Sequence, residues 1–247
     1  LAHAAEHWGL AASKQTGAEK AQTLLKLAEA SLRLNKMDRA RTSVDDAWDI
    51  AERTTLDWLM FRVCVVGTDL GFAQGDLDVV ELWIARLRDV LPVHGQQPWV
   101  RLTEARMMVS QGRLAEAEKR LTSCLAQFEH FGNVSGEVIV RSQLARIRFW
   151  RDELDASGRL FDEAVSVARA DAANDGLAVA LIGYGAFLRV TGEFEAARRT
   201  LAEAFDVSTN FGAPEHCVEA LLELGETHMM CGELDAAKAR GMEARRL

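Results

Sequence analysis

Apolar residues recur along this chain three and four places apart, as at Leu24 and Leu27, at Leu181, Tyr184 and Gly185, at Leu221, Leu224 and Gly225, at Ala117, Leu121 and Cys124, and at Ala197, Leu201 and Ala204. That spacing keeps returning to one face of a helix with 3.6 residues per turn, so the pattern predicts amphipathic helices along the whole chain. No alternation of Val, Ile and Thr lasts long enough to predict a strand.

Between the helical stretches one short phrase returns: a turn-forming residue, then an apolar one two places on. It occurs at Asn35-Lys36-Met37, Gly75-Asp76-Leu77, Gly112-Arg113-Leu114, Asp152-Glu153-Leu154, Gly192-Glu193-Phe194 and Gly232-Glu233-Leu234, at successive spacings of 40, 37, 40, 40 and 40 residues. Three places after the apolar residue comes a small one, Ala40, Ala117, Ser157, Ala197 or Ala237, with Val80 the exception. Gly, Asn and Asp tolerate the left-handed backbone that ends a helix, and acidic residues just beyond suit the positive end of the next. Each phrase therefore predicts a tight turn between a helix A and a helix B, with the small residue where the two approach closely.

The chain is thus expected to be all-α, a single array over 1–247. It would comprise a second helix of a truncated unit over 1–17, hairpin repeats over 18–60, 61–97, 98–137, 138–177 and 178–217, and a final truncated repeat over 218–247. Longer linkers are expected at His130-Phe131-Gly132, Asn174-Asp175-Gly176, Asn210 to Pro214 and Pro92 to Pro98, which together hold all three prolines, with irregularity around the last. A start on Leu1 inside a helical pattern reads as part of a longer polypeptide.

The stretch from Leu221 to Ala237 resembles the tetratricopeptide repeat (TPR), as does that from Leu181 to Ala204: Gly185 and Gly225 match the small residue of helix A, Gly192 and Gly232 the turn, Ala197 and Ala237 the small residue of helix B, and Pro92 the usual proline. The long period is similar to the variety in the sensor region of the bacterial maltose regulator and in related signal-transduction ATPases with numerous domains. The resemblance covers nearly all the chain. It implies a right-handed superhelical solenoid of antiparallel helix pairs whose concave groove, lined by helix A, receives a partner, and it implies a role in bacterial signalling or transcription regulation.

Composition narrows this picture. The 247 residues are 49% hydrophobic, enough for a substantial core. With 29 Lys and Arg against 37 Asp and Glu the formal charge is −8, which disfavours direct nucleic-acid binding. Four cysteines, Cys64, Cys124, Cys217 and Cys231, form no C-x-x-C pair, which suits free thiols in the cytoplasm. The longest apolar run, Leu177 to Leu188, falls short of the roughly 20 residues a membrane helix needs.

Carrying the helix A positions of the TPR over one unit at a time puts Glu29, Asp69, Arg106, Arg146, Ala186 and Glu226 six places before their turns. Leu32, Phe72, Val109, Phe149, Arg189 and Met229 come three before, and Gln22, Arg62, Trp99, Ile139, Val179 and Glu219 thirteen before. The candidate groove residues are Arg62, Asp69, Phe72, Trp99, Arg106, Arg146, Phe149 and Arg189. Their four arginines and three rings make a basic and aromatic spot suited to a carboxylate, a phosphate or an acidic peptide. Against that stands the plainer expectation that these arginines pair with Glu29, Asp69 and their neighbours while the rings fill space. His3-Ala4-Ala5-Glu6-His7 fits H-x-x-E-H without a third ligand, and His216 with Cys217 and His228 with Cys231 lack a four-ligand set, so no metal is expected. Phosphate-loop, nucleophile-elbow and dinucleotide motifs are absent. The expected role is a non-catalytic scaffold without a cofactor that binds a protein or peptide; the alternative is an effector receptor whose superhelix closes on an anionic small molecule.

Overall fold

A computed structural model describes residues 2–90, 97–170 and 174–247, with the backbone alone at 2, 4, 97, 174, 175 and 215. Among the described residues there are thirteen α-helices and no strand: α1 (Ala2–Lys14), α2 (Gly17–Arg33), α3 (Met37–Thr54), α4 (Asp57–Gln74), α5 (Leu77–Val90), α6 (Gln97–Ser110), α7 (Leu114–His130), α8 (Val134–Trp150), α9 (Leu154–Ala170), α10 (Asn174–Val190), α11 (Phe194–Phe211), α12 (Pro214–Met230) and α13 (Leu234–Ala244).

All six turn residues read from the repeat have left-handed backbone, with φ of 55° at Asn35, 67° at Gly75, 74° at Gly112, 62° at Asp152, 87° at Gly192 and 77° at Gly232. The apolar residue two places on opens the second helix every time, at Met37, Leu77, Leu114, Leu154, Phe194 and Leu234. The geometry between is a Schellman turn, in which an N–H just past the left-handed residue donates to a carbonyl in the last turn of helix A. Lys36 donates to Ser31 at 2.8 Å, Asp76 to Gly71 at 3.0 Å, Glu153 to Arg148 at 3.0 Å and Glu193 to Leu188 at 2.8 Å. Helix-end carbonyls that would otherwise lack partners are thereby satisfied.

Two of the connections expected to be longer are just as tight. Asn133 donates to Phe128 at 2.9 Å and Ala213 to Ser208 at 3.0 Å across left-handed Gly132 and Gly212, so helix B returns to the next helix A through the same motif. Pro98 and Pro214 are not in linkers but in the first turns of α6 and α12, where a missing N–H removes no helical bond. Asn174, Asp175 and Gly176 likewise belong to α10. Pro92 and the irregularity expected around it lie outside the described residues. Helix A of successive pairs begins at 57, 97, 134, 174 and 214.

One turn is strained. Thr55, with φ 49°, is a β-branched residue in left-handed backbone, a placement that costs about 1–2 kcal/mol. Thr55→Gly is expected to raise stability by about 0.5–1 kcal/mol once the greater freedom of unfolded glycine is deducted, as a denaturant midpoint would show. A fall in stability would mean that the Thr55 side chain holds this turn in some other way.

The chain divides into two compact units, residues 1–113 and 114–247. In the first, α2 packs on α3 and α4 on α5, while the helices A touch each other, α2 against α4. Its core includes Leu25, Val44, Leu59, Val63, Trp83 and Leu87. The second pairs α8 with α9, α10 with α11 and α12 with α13, and lines up α8, α10 and α12 side by side. Val138, Ala164, Val165, Leu181, Ala204 and Ala220 form its core. The small residues Ala40, Ala117, Ser157 and Ala197 are fully buried, as close helix approach demands. The exception, Val80, is buried as well, because Gly71 opposite it has no side chain; a Cβ there would lie 2.7 Å from Val80 Cγ2. All four cysteines are free thiols, and burial pushes Cys64 up to about 12, so it remains protonated within the core. No described helix is long and apolar enough to cross a membrane.

Candidate binding face

In the first unit the predicted site residues lie on α4 and α6, and their charges are already matched. Arg62 on α4 pairs with Glu29 on α2 at 3.3 Å, and Arg106 on α6 pairs with Asp69 on α4 at 2.7 Å. The Arg106 guanidinium also lies 4.8 Å above the Phe72 ring. Trp99 meets Phe61 edge to face at 5.9 Å between centroids. Each arginine reaches an acid on the preceding helix A, so these side chains bridge one repeat to the next. Pairs as exposed as these contribute about 0–1 kcal/mol.

In the second unit one such bridge runs the other way, to the following helix A, and one repeat earlier the pattern departs. Arg189 on α10 is 2.9 Å from both Glu223 and Glu226 on α12. Between α8 and α10 the corresponding places are Arg146 and Ala186, with Gln143 and Gly183 one turn earlier. Both residues on α10 are small, and a cavity of ≈ 450 Å³ opens over them, a size that suits a small ligand or a few side chains. Phe161 from α9 reaches its floor because Gly183 leaves room: a Cβ there would be 3.2 Å from the ring. Phe149, Trp150 and Phe187 form walls, with Val179, Ile182 and Val190 around them. The rings brace one another, Phe149 with Phe187 at 6.1 Å and Phe161 with Phe187 at 5.5 Å, while Tyr184 stacks on Phe161 at 5.9 Å. Burial, reinforced by Asp162 and Glu193, holds the Tyr184 phenol above its ordinary pKa, so it stays neutral beneath the cavity.

Charge is confined to the two ends. Arg146 stands at the α8 end with its guanidinium 5.3 Å from the Trp150 ring, and Glu219 and Glu223 stand at the α12 end. Of the eight predicted residues, Arg146 and Phe149 line this cavity and Arg189 steadies its acidic edge, while Arg62, Asp69, Phe72, Trp99 and Arg106 lie in the other unit. Gln143, Gly183 and Glu223, nine places before their turns, form a row that the sequence reading passed over. The helical spacing held the signal, since a residue between the rows at thirteen and six must share their face.

The histidine motifs assemble no metal centre. His3 and Glu6 are 3.9 Å apart with both side chains in solvent; His228 Nδ1 is 2.5 Å from Glu233; Cys217 Sγ is 3.5 Å from Thr209 Oγ1. Among the described residues no three His, Cys, Asp or Glu are grouped to hold an ion.

No family model and no curated protein matches the sequence. Solved structures do. A Rap protein complexed with competence and sporulation factor has a TM-score of 0.62 at 18% identity, covering 98% of this chain and 69% of that one. BtubC from P. vanneervenii gives 0.55 at 16% identity, covering 87% and 90%. A signal-transduction ATPase with numerous domains and a tetratricopeptide repeat sensor, from Pyrococcus horikoshii, gives 0.51 at 13%, covering 97% of this chain and 38% of that one. The likeness is one of fold: the chain is a TPR-like array of helix pairs.

Proposed function

We propose that this chain is a non-catalytic scaffold that binds a protein or peptide partner on the helix A face of its second unit, as the sensing or docking part of a bacterial signalling or transcriptional regulator. The observation that carries the reading is the aromatic cavity over α10. Trp150 and Val190 at its edge remain 47% and 51% exposed, and a solvent-facing apolar hollow walled by braced rings is what a partner's side chain would cover. The fold likeness supports the reading in a general way, since a Rap protein of this fold was solved with competence and sporulation factor bound and a signalling ATPase uses such repeats as a sensor.

The alternative, a receptor for an anionic small molecule, has less support. Arg62, Arg106 and Arg189 each engage a carboxylate, and the cavity offers one arginine beside two glutamates. A small anion would have to displace existing ion pairs. Thermal-shift measurements with phosphate esters, dicarboxylates and a pool of short peptides separate the two. A rise in Tm with peptides alone is expected; a saturable rise with a phosphate ester or dicarboxylate would favour the receptor.

A further inference from the structure

Resting on that reading, we infer that the cavity selects a linear peptide by one aromatic side chain, with an acidic residue flanking it toward α8 and a basic residue toward α12. The inference starts from what α10 lacks. Along the row at nine places before the turn stand Gln143, Gly183 and Glu223, and along the row at six stand Arg146, Ala186 and Glu226. Long polar side chains thus occupy both neighbours of α10 but not α10 itself. The result is a notch with an apolar floor, open between a cationic and an anionic shoulder.

Each part of the notch specifies part of the occupant. Phe149, Trp150, Phe161 and Phe187 offer ring faces and edges, which pair most favourably with another ring in offset or edge-to-face contact. Arg146 favours a carboxylate at its end. Glu219, whose side chain is 56% exposed and lies 3.9 Å from His216 Nδ1 on its own helix, still offers a carboxylate to a cation at the other, while Glu223 is shared with Arg189. A free aromatic amino acid also carries both charges, but on one carbon. Packed helices lie about 8–10 Å apart, so α8 and α12 stand roughly 16–20 Å apart across α10. With both shoulder side chains extended away from α10, a partner that engages them must hold its charges several residues apart, at about 3.3–3.6 Å per extended residue. A polypeptide can bridge that span; a free amino acid could do so only with both shoulders turned inward, the arrangement that competition by free tryptophan would reveal.

The test is selection of binders from a random linear-peptide display library on the full 247-residue chain, followed by affinity measurement on synthetic copies. Enriched peptides are expected to share an aromatic residue with acidic and basic flanks. Ala186→Arg, which restores on α10 the kind of side chain its neighbours carry, is expected to weaken binding about tenfold or more without lowering Tm. Trp150→Ala, at a half-exposed edge position, gives the same readout if the first variant folds poorly. Glu219→Lys is expected to abolish the preference for a basic flank, and free tryptophan is expected not to compete. Peptides that lack a common aromatic residue, or that bind both cavity variants as well as the parent, would overturn the inference and leave the docking function standing. Competition by free tryptophan would overturn the peptide specificity. If no peptide is enriched, the proposed docking function falls with it.

Discussion

Trp83→Ala is expected to destabilise the first unit by about 3–5 kcal/mol, the range for removing a large ring from a closed core. Trp83 on α5 is only 3% exposed, and its indole lies directly against the backbone of Gly67 on α4, where any Cβ would overlap it. Trp48 from α3 meets it edge to face at 5.6 Å, and the Arg86 guanidinium stacks 4.4 Å above it and 4.6 Å from Trp48. Truncation would remove this contact from α3, α4 and α5 together, and a glycine on the opposing helix cannot fill the space. With domain stabilities of about 5–15 kcal/mol, the loss should appear as a large fall in the denaturant midpoint. A change below about 1 kcal/mol would mean that the ring is not the wedge between α4 and α5.

The second large effect concerns two glycines that the repeat pattern treats as equivalent. Gly185→Ala is expected to cost about 1–3 kcal/mol, because a Cβ there would sit 2.5 Å from Leu201 Cγ, a fully buried side chain of α11 with nowhere to retreat. At Gly225 the same addition meets Ala237 O at 3.5 Å and Arg240 Cβ at 3.7 Å, which is ordinary contact. Gly225→Ala should therefore be neutral or stabilising by up to about 1 kcal/mol through helix propensity. Thermal unfolding of the two variants measures the contrast, and equal effects would contradict the packing of α10 on α11. The position matters for binding too, since α10 also carries Gly183 and Ala186 on the face that forms the cavity.

Those two glycines mark how far the sequence could be read. The turns were legible because a left-handed residue at a helix end needs Gly, Asn or Asp, and a forty-residue cadence exposed all six. Gly185 and Gly225 look alike in that pattern, yet only the distance to Leu201 makes one of them obligatory. Val80 stood out as an exception for a similar reason: its compensation, Gly71, is on the other helix and is recognisable only once α4 and α5 are in contact. Thr55 shows that the backbone demand can outrank residue preference.

The candidate site was less legible, and the reason is physical. Searching the helix A rows for chemistry finds side chains that are present, and so it found Arg62 and Arg106, whose charges are engaged by the preceding helix A. The cavity exists where side chains are missing, at Gly183 and Ala186, and an absence carries no chemical label along a sequence. Trp150 and Phe187 also fall just off the rows that were followed, and Phe161 comes from a helix B. Arg146 and Phe149 were found because they belong to the row and line the hollow as well.

Hydrogen–deuterium exchange on the full chain, with and without a display-selected peptide, tests the central claim most directly. Protection concentrated in 142–150, 179–190 and 219–223 is the expected result, since these segments of α8, α10 and α12 line the cavity. Protection confined to residues 2–90, with those three segments unchanged, would contradict it.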